Sequence, residues 1–237
     1  MSSMYMPTEN FIQIAMGNVK NASHINKFGY NTAVGSSYEP ITDLGTNHLA
    51  DTATVVTMSS VSSADTLAGS GARTVSVQGL DANYNQLTET VNLNGTSNVT
   101  TTGTFLRVFR MRVESAGADE VNQGNITASI GGTDVAQIQA DQGQTLMAVY
   151  TVPRGYDAYL LKFQGSLSKN QEANFQFRIR NGEAWNVKGL WGTFAQKIDY
   201  DYPVPLKIKE MHDIQVRGKA GATSEIGAIF DLILVKR

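Results

Sequence analysis

Three histidines, His24, His48 and His212, are the only imidazoles in this 237-residue chain, and no two form an HxH or HxxxH pair. A metal centre or a base–nucleophile couple would therefore need the fold to gather distant residues. Cysteine is absent, which removes thiolate ligands and disulfides together. Neither a GxSxG elbow nor a GxxxxGKS/T loop occurs. Gly69-Ser70-Gly71 lacks the Lys that completes a phosphate loop and reads as a flexible turn. Asp199 and Asp201, two apart in IDYDYP, would share one face of an extended segment, the arrangement from which a carboxylate pair or a Ca²⁺ site could begin. No further oxygen ligands stand out beside them. Asp119, Glu120 and Asp141 lie among turn residues, where carboxylates satisfy backbone donors. The chain reads as a non-enzyme, with no catalytic residues, no metal site and no cofactor.

Aromatic residues offer a different chemistry. Trp185 and Trp191 are six apart, so a regular strand would show both on one face, and Tyr200 and Tyr202 follow closely. Such a row can stack on sugar rings, which makes these four the candidate glycan-binding residues. The competing reading is that they fill a core or a subunit contact, and Gly189 and Gly192 break the regularity that a platform would need. Arg107, Arg110 and Arg112 fall close together, but three arginines are too few for a nucleic-acid stripe and are expected to pair with acids. Net charge is -2 and charged residues make up 17%, against about 25% in an average globular protein. Ser, Thr, Asn, Gln and Gly fill the difference. Such a surface lets copies approach without strong repulsion and excludes nucleic acid as a partner.

The elements that would carry these residues are strands. Residues 73–78 and 86–93 alternate apolar and polar side chains around a Gly/Asp/Asn loop, which predicts an antiparallel hairpin. Further strands are predicted near 53–58, 97–101, 104–115, 125–130 and 133–139. A second set follows near 145–152, 157–167, 173–180, 183–198, 204–210, 212–217 and 226–235. Pro203 and Pro205 mark an edge position. Apolar residues of both parities in 226–235 predict burial on both faces. No sustained helical period appears. The fold class is all-β, an antiparallel β-sandwich or jelly-roll-like architecture, as one large domain or two. The divisions are an extended N-terminal arm (1–50), an antiparallel β domain (51–140) and a β-sandwich or jelly-roll-like domain (141–237). The arm is too polar to order alone. Phe11, Ile12, Ile14 and Phe28 are its candidate anchors, on the body or across a subunit interface. The N-terminus lacks the basic and apolar regions of a secretory signal, and no apolar run is long enough to span a bilayer, so no membrane partner is expected.

The run GARTVSVQGLDANYNQLTETVNLNGTSNVTTTGTFLRVFRMRVESAG, with NQGNITASIGG, GQTLMAVYTVPRGYDAYL and the earlier HINKFGYNTAVGSSYEPITDLG, resembles virion structural proteins of tailed bacteriophages of the marine and cyanobacterial type. The resemblance implies a particle component, made in the host cytoplasm and located in the virion. It implies a capsid decoration, cement or head-fibre protein, or alternatively a tail-associated protein that binds a host surface glycan. The implied partners are other capsid or tail subunits and further copies of the chain, for instance in a trimer. The group supplies no catalytic residues to carry over.

Overall fold

The computed structural model describes residues 8–168, 171–194 and 196–237. Helix α1 (Thr8–Ala15) is followed by β1 (Ala22–Val34), β2 (Glu39–Pro40), β3 (Thr54–Ser60), β4 (Ala72–Leu80) and β5 (Gln86–Asn92). Then come β6 (Val99–Phe105), β7 (Arg107–Ala116), β8 (Ile126–Ile130), β9 (Thr133–Ile138) and β10 (Val149–Thr151). The chain ends with β11 (Tyr156–Leu167), β12 (Ala173–Asn181), β13 (Ala184–Thr193), β14 (Lys197–Ile208), β15 (Asp213–Ala220) and β16 (Ser224–Lys236). The protein is all-β, and every strand pairing is antiparallel.

Two hydrophobic cores result. The first lies between the sheets β6-β3-β8-β9 and β5-β4-β7 and draws on residues from Ala50 to Val149. Its predicted hairpin is β4–β5, closed where Asp81 Oδ1 accepts the backbone N–H of Asn83 and Asn85. The chain changes sheets at Leu106, so β6 pairs with β3 and β7 with β4. The predicted strand 104–115 is therefore divided, with its first two residues in the other sheet. The buried Asp65 pins the small-residue loop after β3. It accepts from Ser60 Oγ at 2.6 Å and from the N–H of Ala72, Gln123 and Gly124 at 2.8–2.9 Å.

The second core lies between the sheets β1-β16-β11-β14 and β10-β15-β12-β13. Phe175, Phe177 and Ile179 of β12 point inward while Gln176, Arg178 and Arg180 point out. Edge-to-face contacts join the two sheets, Phe163 on Phe175 at 5.8 Å and Phe177 on Phe230 at 5.6 Å. The segment before residue 50 belongs to this core. Residues Ala22–Val34 form β1 against β16, and Val34 and Ile41 are fully buried. Gly29 is required there, because a Cβ would collide with the backbone of Ile41 and Ala148. Residues 8–15, expected to be extended, are helical. Two turns are too short to show as a sustained period, yet Phe11, Ile12, Ile14 and Ala15 form one apolar stripe. Burial of β16 on both faces is confined to Leu232–Leu234; Ile229 is 37% exposed.

The halves are joined by a buried ion network. Asp213 on β15 accepts from Arg107 Nε on β7 at 2.8 Å, from Arg180 Nε at 3.0 Å and from Thr151 Oγ1 at 2.7 Å. Arg107 also donates to the carbonyls of Ala50 and Leu106. The expected Arg–acid pairing thus spans the two cores.

Candidate interaction surface

Strands β13 and β14, consecutive in the chain, are the outer strands of opposed sheets on one side of the second core. Their ladders are irregular. Phe177 pairs with Gly189 but Arg178 pairs with Val187, so Lys188 is an extra residue that reverses the alternation. The predicted common face of the two tryptophans is therefore lost. Trp191 turns inward and stacks on Phe163 at 4.3 Å and 10°. Trp185 turns outward beneath the Arg178 guanidinium at 4.1 Å, with Arg180 at 5.9 Å. Each indole already has one face occupied.

A second irregularity is wider. Leu160 pairs with Leu206 and Lys162 with Asp201, so residues 202–205 bulge opposite Leu161 alone. Pro203 and Pro205 cannot donate to a ladder, which accounts for the bulge. The predicted strand 183–198 is accordingly two strands, β13 ending at Thr193 and β14 beginning at Lys197 in the other sheet. Tyr200 and Tyr202 meet at 4.9 Å, and Trp191 lies 5.6 Å from Tyr200 and 6.5 Å from Tyr202. Three of the four aromatic candidates are thus brought together, with Trp185 apart. Burial pushes the Tyr202 phenol up to about 12, and its hydroxyl has no partner among the described residues.

Large apolar side chains are exposed along both strands of this arch, Val187 and Leu190 opposite the outward Arg178 and Gln176, and Tyr200 opposite the inward Phe163. Val187 is 51% exposed, Leu190 61%, Phe194 79%, Tyr200 40% and Val204 81%. Val187, Leu190, Phe194 and Val204 were not predicted as contact residues. Their signal in the sequence was the Pro-Val-Pro run and apolar residues set among glycines. Helix α1 flanks the bulge. Phe11, Ile12 and Ile14 line a groove of about 610 Å³ with Leu161, Tyr202 and Pro203, and Phe11 and Ile12 are themselves 40% and 53% exposed. Phe28 lies elsewhere, half-buried in a groove of about 620 Å³ over the outer face of β1, β16 and β11, beside Tyr30 and Ile229.

Most of the acid–base candidates make ion pairs or hydrogen bonds within the chain. Asp199 and Asp201 share Lys162 at 3.1 and 3.7 Å, and Lys197 lies 3.6 Å from Asp199. Hydrogen bonds from Gln164 and Lys162 hold the Asp199 carboxyl below its usual range. His24 bonds Asp231 at 2.9 Å, which raises its pKa; His212 bonds the Glu210 carbonyl; His48 is exposed. Among the described residues no three His, Asp or Glu side chains gather as a metal cage. No described helix is long and apolar enough to cross a membrane.

The site and fold define an all-β sandwich protein with an apolar arch on its second half. No protein-family model matches the sequence, and no curated protein matches it. Among solved structures, a chain from the structure of infectious bursal disease virus, Gt strain, is 10% identical; the alignment covers 96% of this chain and 82% of that one, with a TM-score of 0.19.

Proposed function

We propose that this chain is a non-enzymatic structural protein of a tailed-phage virion, a capsid-associated decoration or head-fibre protein that acts through subunit–subunit contacts. The observation that carries the proposal is the exposed apolar arch of β13 and β14. At their exposed fractions its five large side chains, spread over both strands, leave on the order of 500 Å² in water in total, against roughly 800 Å² per partner in a standard interface. At about 25 cal/mol per Å² this is on the order of 10 kcal/mol before the entropy of association is subtracted. A low-charge, cysteine-free chain without a clustered catalytic constellation, together with the tailed-phage resemblance, points the same way. Both outer strands are poor templates for strand addition. Prolines and the charges of Lys197, Asp199 and Asp201 interrupt β14, and Lys188 bulges β13. Association therefore proceeds by side-chain packing, into a homo-oligomer such as a trimer and onto neighbouring capsid subunits.

Immunogold electron microscopy of intact particles tests the assignment. Gold over the head supports it, and absence from purified particles refutes it. Gold at the tail would replace it with a tail-associated, glycan-binding role, for which the exposed Tyr200 beside Trp191 and Tyr202 is the starting surface. Deleting residues 1–50 would not test the arm, because it strips β1 from β16 and opens the second core. Ile12→Ser, at an exposed position of α1, leaves the core intact and is expected to weaken incorporation into particles.

A further inference from the structure

A cleft of about 260 Å³ separates the two halves, between β1 on one side and β4, β5 and β7 on the other. Lys27 of β1 and Arg110 of β7 both line it, and no carboxylate does among the described residues. Lys27 is 2% exposed. Its ammonium donates to the Phe109 carbonyl and lies 5.8 Å from the Phe109 ring, and among the described residues no acid pairs with it. Arg110 donates to the Asn26 carbonyl at 2.7 Å and likewise has no acid partner there. His24, which also lines the cleft, carries no negative charge to offer, and the carboxylate it bonds, Asp231, is taken up by His24 and the Asn26 amide and does not line the cleft.

Two neighbouring cations with no counter-charge are costly where water is scarce. Burial, followed by the nearby Arg110, holds the Lys27 ammonium well below the ordinary lysine range. The rest of the lining adds neutral hydrogen-bonding groups, the amides of Gln78 and Gln86 and the Thr88 hydroxyl. We propose that this cleft is a binding site for a small oxyanion of the phosphate or sulfate class, held between the Lys27 ammonium and the Arg110 guanidinium. The volume admits one tetrahedral oxyanion and several waters, at roughly 30 Å³ per water. The bound anion supplies the counter-charge that the chain omits and ties β1 to β7, which strengthens the contact between the halves. The site is independent of the apolar arch and of the virion assignment.

The test is thermal unfolding of the full chain in sodium phosphate, sodium sulfate and sodium chloride at matched ionic strength. Phosphate or sulfate is expected to raise the melting temperature in a saturable manner beyond chloride. Lys27→Met, which replaces the buried charge by an apolar chain of similar length, is expected to fold and to lose that rise. Arg110→Gln, at a half-exposed position, is expected to weaken anion binding at least tenfold by calorimetry, and it carries the test should the first variant not fold. A wild type that responds to neither oxyanion more than to chloride would overturn the proposal. So would variants that keep the full response.

Discussion

Removing the Asp213 carboxylate should be among the most damaging single changes in this protein. Asp213→Ala leaves the guanidinium of Arg107, which is 5% exposed, with only the carbonyls of Ala50 and Leu106. It also frees Thr151 Oγ1 and Arg180. Breaking a buried pair by deleting one partner costs about 3–5 kcal/mol, chiefly through the charge left uncompensated. Arg107→Met should cost less, because Asp213 retains Arg180 at 3.0 Å and Thr151 at 2.7 Å. The double variant should then be less destabilised than the sum of the two, with a coupling of roughly 1–3 kcal/mol. Urea unfolding followed by far-ultraviolet circular dichroism measures all three. The network bridges the two cores, so Asp213→Ala should also split a single transition into two as the halves uncouple. Additive single variants, or a loss below about 1 kcal/mol for Asp213→Ala, would refute the view that this network holds the halves together.

Three other expectations follow from local geometry. Burial pushes the Asp43 carboxyl up to about 7, and its Oδ1 has no partner among the described residues. The folded state then holds this proton more tightly than the unfolded chain, so Asp43's contribution to stability falls as pH rises from about 4 to 7 and stays low above. Asp43→Asn should remove that slope and raise stability at pH 8 by roughly 2–4 kcal/mol, read as the difference between variant and wild type in urea midpoints across pH. Trp191→Ala should cost about 3–5 kcal/mol, because it deletes the ring stacked on Phe163. Trp185→Ala should cost about 1 kcal/mol, for its outward contact with Arg178; equal losses would contradict the reversal of alternation at Lys188. Gly29→Ala drives a methyl into the backbone of Ile41 and Ala148 and should lower stability by at least about 1–3 kcal/mol on thermal unfolding.

Most of the strands were legible because each half-buried strand carries its own period of two. Phe175, Phe177 and Ile179 against Gln176, Arg178 and Arg180 announce both the element and its buried face. Legibility failed wherever one residue changed the count. Lys188 reverses the faces of β13, and Leu106 sends one predicted strand into two sheets; neither residue type signals a bulge or a corner. The β1 strand was missed for another reason. It is an edge strand whose outward positions include His24 and Asn26, both bonded to Asp231, so its polarity looked like that of a free arm. Of the contact candidates, Phe11, Ile12 and Ile14 fall together because they share a short helix, while Phe28 goes to a separate groove.

The arginines of β7 show what sequence spacing cannot decide. Arg107, Arg110 and Arg112 read as one cluster, yet their surroundings give them three different roles. Arg107 faces into the junction and finds Asp213 already held by Arg180 and Thr151, so its charge is fully answered. Arg112 points to solvent and pairs with Glu114 at 2.7 Å, an exposed contact of little energetic weight. Arg110 lies between these extremes, partly desolvated and facing Lys27 instead of an acid. A folded chain tolerates buried charge when it is neutralised from within, as at Arg107. Where it is not, the charge is either given up or answered from outside. That distinction separates the ionic group that stabilises the junction from the one that leaves a binding site open beside it.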